Sequence, residues 1–394
     1  MKPFYIARLP RITFGSGSLQ QLAHLTASYG QQVLLVTGSH SLRASDAWSR
    51  LCADFDALGI HSLELQVEGE PSPALIDDAV LRFRGCGIDV VVGIGGGSTL
   101  DAAKAIAGLL KPGNSVLDHL EGVGPERPYC GPSTPFIAVP TTAGTGSEAT
   151  KNAVLSVGGA AGYKKSFRDE RLVPEHALID PDLFATCPPA LIAANGMDAF
   201  TQLLESYVSL NANAFTDALA WSGMEAASGA LITWYEHGSA ARAAHAAMAY
   251  AALLSGITLA QVGLGSVHGL ASPLGAFFPI PHGVVCGTLV AAATEINLQA
   301  LRQRCPESAA LHKYARVGRL LAGDNTLTTA ASHDALLAVL RDWTTRMHLP
   351  RLAEYGVTPT DFPRIVSNSR GSSMKTNPVT LTDGEIEAIL RRRV

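Results

Sequence analysis

The stretch Ile88–Gly108, IDVVVGIGGGSTLDAAKAIAG, decides the fold. Val90 to Ile94 form an apolar run of the kind a parallel strand needs when both of its faces are covered. Three glycines then lead into an alanine-rich stretch with helical spacing, and Ser98 and Asp101 stand at capping-box distance. Without Cβ atoms, Gly95, Gly96 and Gly97 let the backbone approach an anion closely. The helix that follows adds free N–H groups and a positive dipole end. A pyrophosphate is the natural guest of such a loop, and a tight strand-to-helix turn is the plainer alternative. The pattern is not G-x-G-x-x-G, so the usual dinucleotide fingerprint is absent.

Two flanking runs repeat the theme. QVLLVTG (Gln32–Gly38) and PFIAVPTT (Pro135–Thr142) are also continuously apolar, and amphipathic stretches such as SPALIDDAVLRFRG (Ser72–Gly85) lie between the runs. Alternation of this kind predicts a doubly wound α/β domain. After HALIDPDL (His176–Leu183) the strand-like runs stop, and long Ala/Leu-rich helical patterns take over. The expected organisation is an α/β dinucleotide-binding domain over residues 1–180 and an all-α domain over 181–394. Thr382 and Glu385 form a capping box for a last helix.

Composition narrows the function classes. The 394 residues are 47% hydrophobic and 16% charged with 38 Gly and 22 Pro, a balance that fits compact domains with many tight turns rather than disorder. Net charge is −4 and the longest basic run is Arg391–Arg393, so neither nucleic acid nor an anionic membrane is an expected partner. MKPFYIARLPRITFG lacks the apolar core of a secretory signal, and no continuous apolar run reaches the roughly 18 residues of a membrane span, so a soluble cytoplasmic protein is expected. Six cysteines (52, 86, 130, 187, 286, 305) without CxxC spacing suit reduced thiols serving as packing residues.

A second loop, PTTAGTGSEATKNAVL (Pro140–Leu155), follows another apolar strand, and Thr141, Thr142, Gly144, Thr145, Gly146 and Ser147 could supply small donors to one ligand. Two such loops on neighbouring strands would face the same crevice, where open α/β sheets bind ligands. In the second half, NGMDAFTQLLESY (Asn195–Tyr207) sets Asp198 and Gln202 one helical turn apart on one face. GLGSVHGLASPLGAFFPIPHGVVCGTLV (Gly263–Val290) carries His268 and His282 with almost no other charge, which suits neutral imidazole ligands. Asp198 is the obvious third donor, because a carboxylate in an apolar helix needs a positive partner.

These motifs, with ITFGSGSLQQL, GGGSTLDAAK, ALIDPDL and TNPVTLTDGEI, resemble the iron-containing (group III) alcohol dehydrogenases of the dehydroquinate synthase-like superfamily, over nearly the whole chain. The resemblance implies an NAD(P)-dependent oxidoreductase with its active site in a cleft between the two domains. It also implies a divalent metal, Fe, Zn or Mn, held by one aspartate and three histidines. The matching positions are Asp198, Gln202, His268 and His282, so one ligand is changed; a further family histidine, assigned to proton relay, falls on Ser272. Either Gln202 still coordinates the ion or orients a water there, with harder ions tolerated relatively better, or the ion is lost and Gln202 with a protonated histidine binds the substrate oxygen directly, as in a maleylacetate reductase-like enzyme.

For the cofactor, NAD-preferring relatives carry an acid after the first strand. Here VTGSHSLRAS places Gly38 near that position, followed by Ser39, His40 and Arg43, so NADP(H) is permitted and favoured. Gly95, Gly96, Gly97, Ser98, Asp101, Thr141, Thr142, Thr145 and Ser147 complete the expected cofactor contacts. In GYKKSFRDERLVP, Lys165 falls where relatives place a lysine near the nicotinamide ribose; Lys164 is the register alternative and a solvated charged turn the plain one. SNSRGSSMKTNPV (Ser367–Val379) could offer Arg370 or Lys375 to an anionic substrate or be a surface loop. The expectation is a homodimeric dehydrogenase or reductase of a small alcohol and its aldehyde or ketone. A dehydroquinate synthase-like lyase and a catalytically impaired nucleotide-binding protein are its rivals.

Overall fold

Val90, Val91, Val92 and Ile94 are fully buried, as their unbroken apolar run requires of a strand in mid-sheet. The structure is a computed structural model that describes residues 3–38, 42–43, 45–159 and 162–394. Its strands are β1 (Arg11–Phe14), β2 (Gln32–Gly38), β3 (His61–Val67), β4 (Val90–Gly95), β5 (Phe136–Pro140), β6 (Asn152–Val157), β7 (Tyr163–Arg168) and β8 (His176–Ile179). Six of them form one parallel sheet in the order β1-β8-β5-β4-β2-β3, while β6 and β7 pair separately. Strand β3 lies on one side of β2 and β4 on the other, so the winding reverses at the carboxyl ends of β2 and β4, where open sheets leave a crevice. β7 occupies the segment whose plain reading was a charged turn: KKSFR is polar, yet pairing with β6 makes it a strand.

Helices α1 (Leu22–Ala27), α2 (Asp46–Ala57), α3 (Pro73–Phe83) and α4 (Gly97–Leu109) belong to this α/β part. Among them α4 is the most deeply placed, with Thr99, Leu100 and every residue from Ala102 to Leu109 buried. The rest of the chain is helical: α5 (Pro189–Val208), α6 (Ala214–His237), α7 (Arg242–Val262), α8 (Ser266–Phe277), α9 (His282–Arg304), α10 (Ala309–Ala322), α11 (Thr329–Arg346), α12 (Phe362–Asn368), α13 (Ser372–Lys375) and α14 (Asp383–Arg391). One compact unit comprises Ala7–Val157 with Lys164–Thr186, and the other is built on Cys187–Val394. The Thr382/Glu385 capping box forms as spaced, Thr382 Oγ1 accepting from the Glu385 N–H at 3.2 Å and Glu385 accepting from the Thr382 N–H at 2.7 Å.

By length and composition α7 and α9 could each cross a membrane, which a search for continuous apolar runs overlooks because a few polar residues interrupt them. Burial of 67% and 89% of their apolar windows inside the protein supplies the other explanation for that hydropathy, namely core helices.

The approach of α9 to α5 is set by small residues. A methyl at Gly283 would run into the Ala194 carbonyl of α5, and one at Gly287, a turn later, would lie 2.8 Å from Met197 Cβ. Only hydrogen at both positions lets the two backbones come this close. Gly283→Ala should therefore cost about 1–3 kcal/mol through overpacking and push the start of α9 away from α5. Urea unfolding should show a lower midpoint with an unchanged slope; an unaltered midpoint would mean that the contact yields freely.

Candidate active site

Two groups of residues carry chemistry, one in each unit. In the α/β unit Gly95 is paired with Pro140, and the Thr141 N–H donates to the Gly95 carbonyl at 3.0 Å, so the two polar loops leave adjacent strands side by side. A methyl on Gly97 would lie 2.7 Å from Thr145 Oγ1 and one on Gly96 would lie 3.3 Å from Thr142 Oγ1. The glycines are thus what allows the loops to touch.

The expected capping box at Ser98 and Asp101 does not form: Gly96 is the N-cap of α4 and no side chain caps it. Asp101 instead reaches across to the second loop, accepting from Ser147 Oγ at 2.5 Å and from the Val154 N–H at 3.1 Å. Beside it Lys104, fully buried, donates to the carbonyls of Ser147 (2.8 Å) and Asn152 (2.6 Å) and to the hydroxyls of Ser147 (2.9 Å) and Thr150 (3.0 Å). Burial pulls the Lys104 pKa down to about 8 against the opposing pull of Asp101 and Glu148, and burial pushes Glu148 up to about 7. Asp101 and Ser147, both expected to touch cofactor, thus spend these polar groups bracing the loops. In exchange, α4 has no side-chain cap at its N-terminus among the described residues, the condition for taking an anion.

At the end of β2, Gly38 abuts the start of α4, a methyl there lying 3.6 Å from Thr99 Oγ1; Ser39 and His40 lie outside the described residues. Arg43 donates to Thr37 Oγ1 at 3.3 Å, covers Trp48 at 4.6 Å and pairs with Glu64 of β3. A carboxylate is therefore present near this turn, supplied by the neighbouring strand rather than by the turn that the sequence singled out. Lys165 is half-buried in β7 with its Nζ near Gly122, and Lys164, the register alternative, pairs with Glu70.

In the helical unit, α5, α8 and α9 bring Asp198, His268 and His282 together. Asp198 Oδ1 lies 3.2 Å from His268 Nε2 and 3.7 Å from His282 Nε2, while Asp198 Oδ2 is buried with no hydrogen-bond partner among the described residues. Asp198 and His268 are buried; the His282 side chain, the first residue of α9, is 25% exposed and gives the cluster its open side. Desolvation opposes the charged form of Asp198, but His282 and His268 outweigh it and hold the pKa below the ordinary carboxylate value. Desolvation likewise opposes a charged His268, yet Cys286, Asp198 and Glu205 outweigh it and raise the ring well above its usual value. An ionised Asp198 in this pocket demands positive charge beside it.

Sequence reasoning missed two members. Cys286, one turn after His282, is fully buried with Sγ 3.5 Å from His268 Nε2 and 3.8 Å from His282 Nε2. Its burial agrees with the packing expectation, though it faces two imidazole nitrogens, whereas Cys86, Cys130 and Cys305 depart from that expectation in being exposed. Glu205, two turns after Asp198 on α5, accepts from His268 Nδ1 at 2.7 Å and from the N–H groups of Gly265 (3.0 Å) and Val267 (2.7 Å). It thereby closes the N-terminus of α8 and fixes His268 so that Nε2 faces Asp198. Asn377 completes that cap by accepting from the Ser266 N–H at 3.0 Å. The i, i+4 spacing from His282 could have found Cys286; nothing local marks Glu205.

Gln202 is buried on α5 and its Oε1 accepts from Ser255 Oγ of α7 at 2.8 Å. Ser272 is half-buried on α8, one turn after His268. Arg370 does not stand free for a substrate: it donates to the Leu381 carbonyl at 2.7 Å and pairs with Asp383. Lys375, at the end of α13, is exposed.

Known proteins resemble this chain in sequence and in fold. Residues 10–181 match the family model described as "Iron-containing alcohol dehydrogenase", and residues 192–394 match "Fe-containing alcohol dehydrogenase family, C-terminal". Alcohol dehydrogenase 4 of Saccharomyces cerevisiae (strain YJM789) is 30% identical over 395 residues, covering 99% of this chain and 97% of that protein. Lactaldehyde reductase of Escherichia coli (strain K12) is 32% identical over 361 residues, 89% of each chain. Among solved structures, a 1,3-propanediol oxidoreductase superposes with a TM-score of 0.89 at 29% identity, with all of both chains covered. Matched by the family models over residues 10–181 and 192–394 and along its whole length in fold, the chain belongs to the iron-containing alcohol dehydrogenase family.

Proposed function

We propose that this protein interconverts a small alcohol with its aldehyde or ketone by hydride transfer to and from NAD(P), NADP(H) being favoured, with a divalent metal held by Asp198, His268 and His282. It acts on this reading as a cytoplasmic homodimer, residues 1–180 binding nucleotide and 181–394 metal and substrate. The observation that carries it is the buried Asp198 carboxylate, flanked by two imidazole nitrogens and left with one oxygen unmatched. A carboxylate and two imidazoles are a donor set that suits iron, zinc or manganese.

Bound there, the metal would act as a Lewis acid on the substrate oxygen while the nicotinamide supplies or takes the hydride. The chain's own work is positioning and charge. Gly95, Gly96 and Gly97 present the open N–H groups of α4 to the pyrophosphate; Ser98, Thr141, Thr142 and Thr145 line the same edge; Lys165 serves the nicotinamide ribose. Glu205 keeps the His268 Nδ1 proton in place so that Nε2 stays a donor. Gln202, held by Ser255, borders the metal and substrate position with an amide, and the Ser272 hydroxyl passes the alcohol proton outward but cannot store it near neutral pH as histidine does.

Three outcomes test this reading. Protein purified without added metal should contain a divalent ion on elemental analysis, lose activity on chelation and regain it on metal return; full activity in a metal-free sample would eliminate the Lewis-acid role. Glu205→Gln should weaken metal affinity about 10–100-fold, measured by chelator competition well below the melting temperature. A drop in melting temperature with metal affinity unchanged would assign Glu205 to folding alone. Comparison of kcat/KM should favour NADPH over NADH, since Gly38 carries no carboxylate to repel a 2′-phosphate and Arg43 is close by. A strong NADH preference would instead give that role to Glu64.

A further inference from the structure

We infer that Cys286 is the fourth metal donor, taking over the task that the family gives to a histidine at the position of Gln202; the inference rests on the metal-dependent reading above. Geometry is the first support. A tetrahedral ion with bonds of about 2.0–2.1 Å to nitrogen or oxygen and about 2.3 Å to sulfur needs roughly 3.3 Å between N or O donors and roughly 3.6 Å between sulfur and nitrogen. The separations here are 3.2 and 3.7 Å from Asp198 Oδ1 to the two imidazoles, and 3.5 and 3.8 Å from Cys286 Sγ to the same nitrogens. All four donor atoms lie within 4.8 Å of one another, so modest contraction closes the shell.

Helix register is the second. On α5 the residue one turn after Asp198 is Gln202, whose amide oxygen takes the Ser255 hydroxyl. On α9 the residue one turn after His282 is Cys286, and its sulfur lies within 3.5 and 3.8 Å of two imidazole nitrogens. The small residues Gly283 and Gly287 give α9 the close approach to α5 that carries this sulfur into the cluster.

Charge is the third. On binding, the Cys286 S–H bond breaks, its proton leaves to solvent and the sulfur–metal bond forms, with no change of oxidation state. One carboxylate and one thiolate then neutralise a dication, as a buried site prefers. A soft thiolate also shifts the preference toward zinc and away from manganese or magnesium, the opposite of what Gln202 alone suggests.

The test is cobalt substitution of the full-length protein after metal removal. Wild type and Gln202→Ala should both show thiolate-to-cobalt charge-transfer absorption in the near ultraviolet, and Cys286→Ser should lose it while still binding cobalt. Because Cys286→Ser could fold poorly, X-ray absorption of the wild-type cobalt protein gives a second reading, a sulfur neighbour at about 2.3 Å. Cobalt bound by nitrogen and oxygen alone, or a charge-transfer band that survives in Cys286→Ser, would overturn the thiolate and leave the metal reading standing. No cobalt binding at all would overturn both.

Discussion

A carboxylate buried in an apolar helix is the constraint around which the helical unit is arranged. Removing an isolated charge from water costs several kcal/mol even after relaxation, so α5 can hold Asp198 in the interior only if positive charge comes to it. Each neighbouring element contributes to that end. Gly283 and Gly287 bring α9 close enough for His282 and Cys286 to reach the acid, and Glu205 with Asn377 closes the start of α8 so that His268 points the same way.

The α/β unit depends on a buried charge of the opposite sign. Lys104 sits inside α4 and ties the second polar loop to the helix through four oxygen acceptors, with Asp101 beside it. With this network in place, the N-terminus of α4 has no side-chain cap among the described residues. If the loop takes the pyrophosphate proposed above, bracing from behind helps it, because the ordering cost is then met in folding and not on each binding event.

Much of this was readable from the chain. Continuous apolar runs announce β2, β4 and β5, since strands covered on both faces have no polar side, and long Ala/Leu-rich patterns announce the helices after β8. The meeting of Asp198, His268 and His282 follows from three polar groups in otherwise uncharged segments. What was not legible depended on partners distant in sequence. Ser98 and Asp101 have capping-box spacing, yet Ser147 and Val154 claim the carboxylate. Arg370 reads as an available cation until Asp383 and the Leu381 carbonyl take it. Cys286 sits in HGVVCGTLV, where a small apolar thiol looks like packing; its role emerges only when α5 and α8 converge on the same face of α9.

On the reading proposed above, the Asp198 carboxylate is buried in order to hold a divalent metal. Anomalous difference maps from crystals of the protein as purified, collected on either side of the absorption edges of iron, zinc and manganese, would locate such an ion and identify it. One edge-specific peak is expected within bonding distance of Asp198, His268 Nε2 and His282 Nε2. An enzyme that is active as purified and whose crystals show no anomalous peak at that point would rule the metal out.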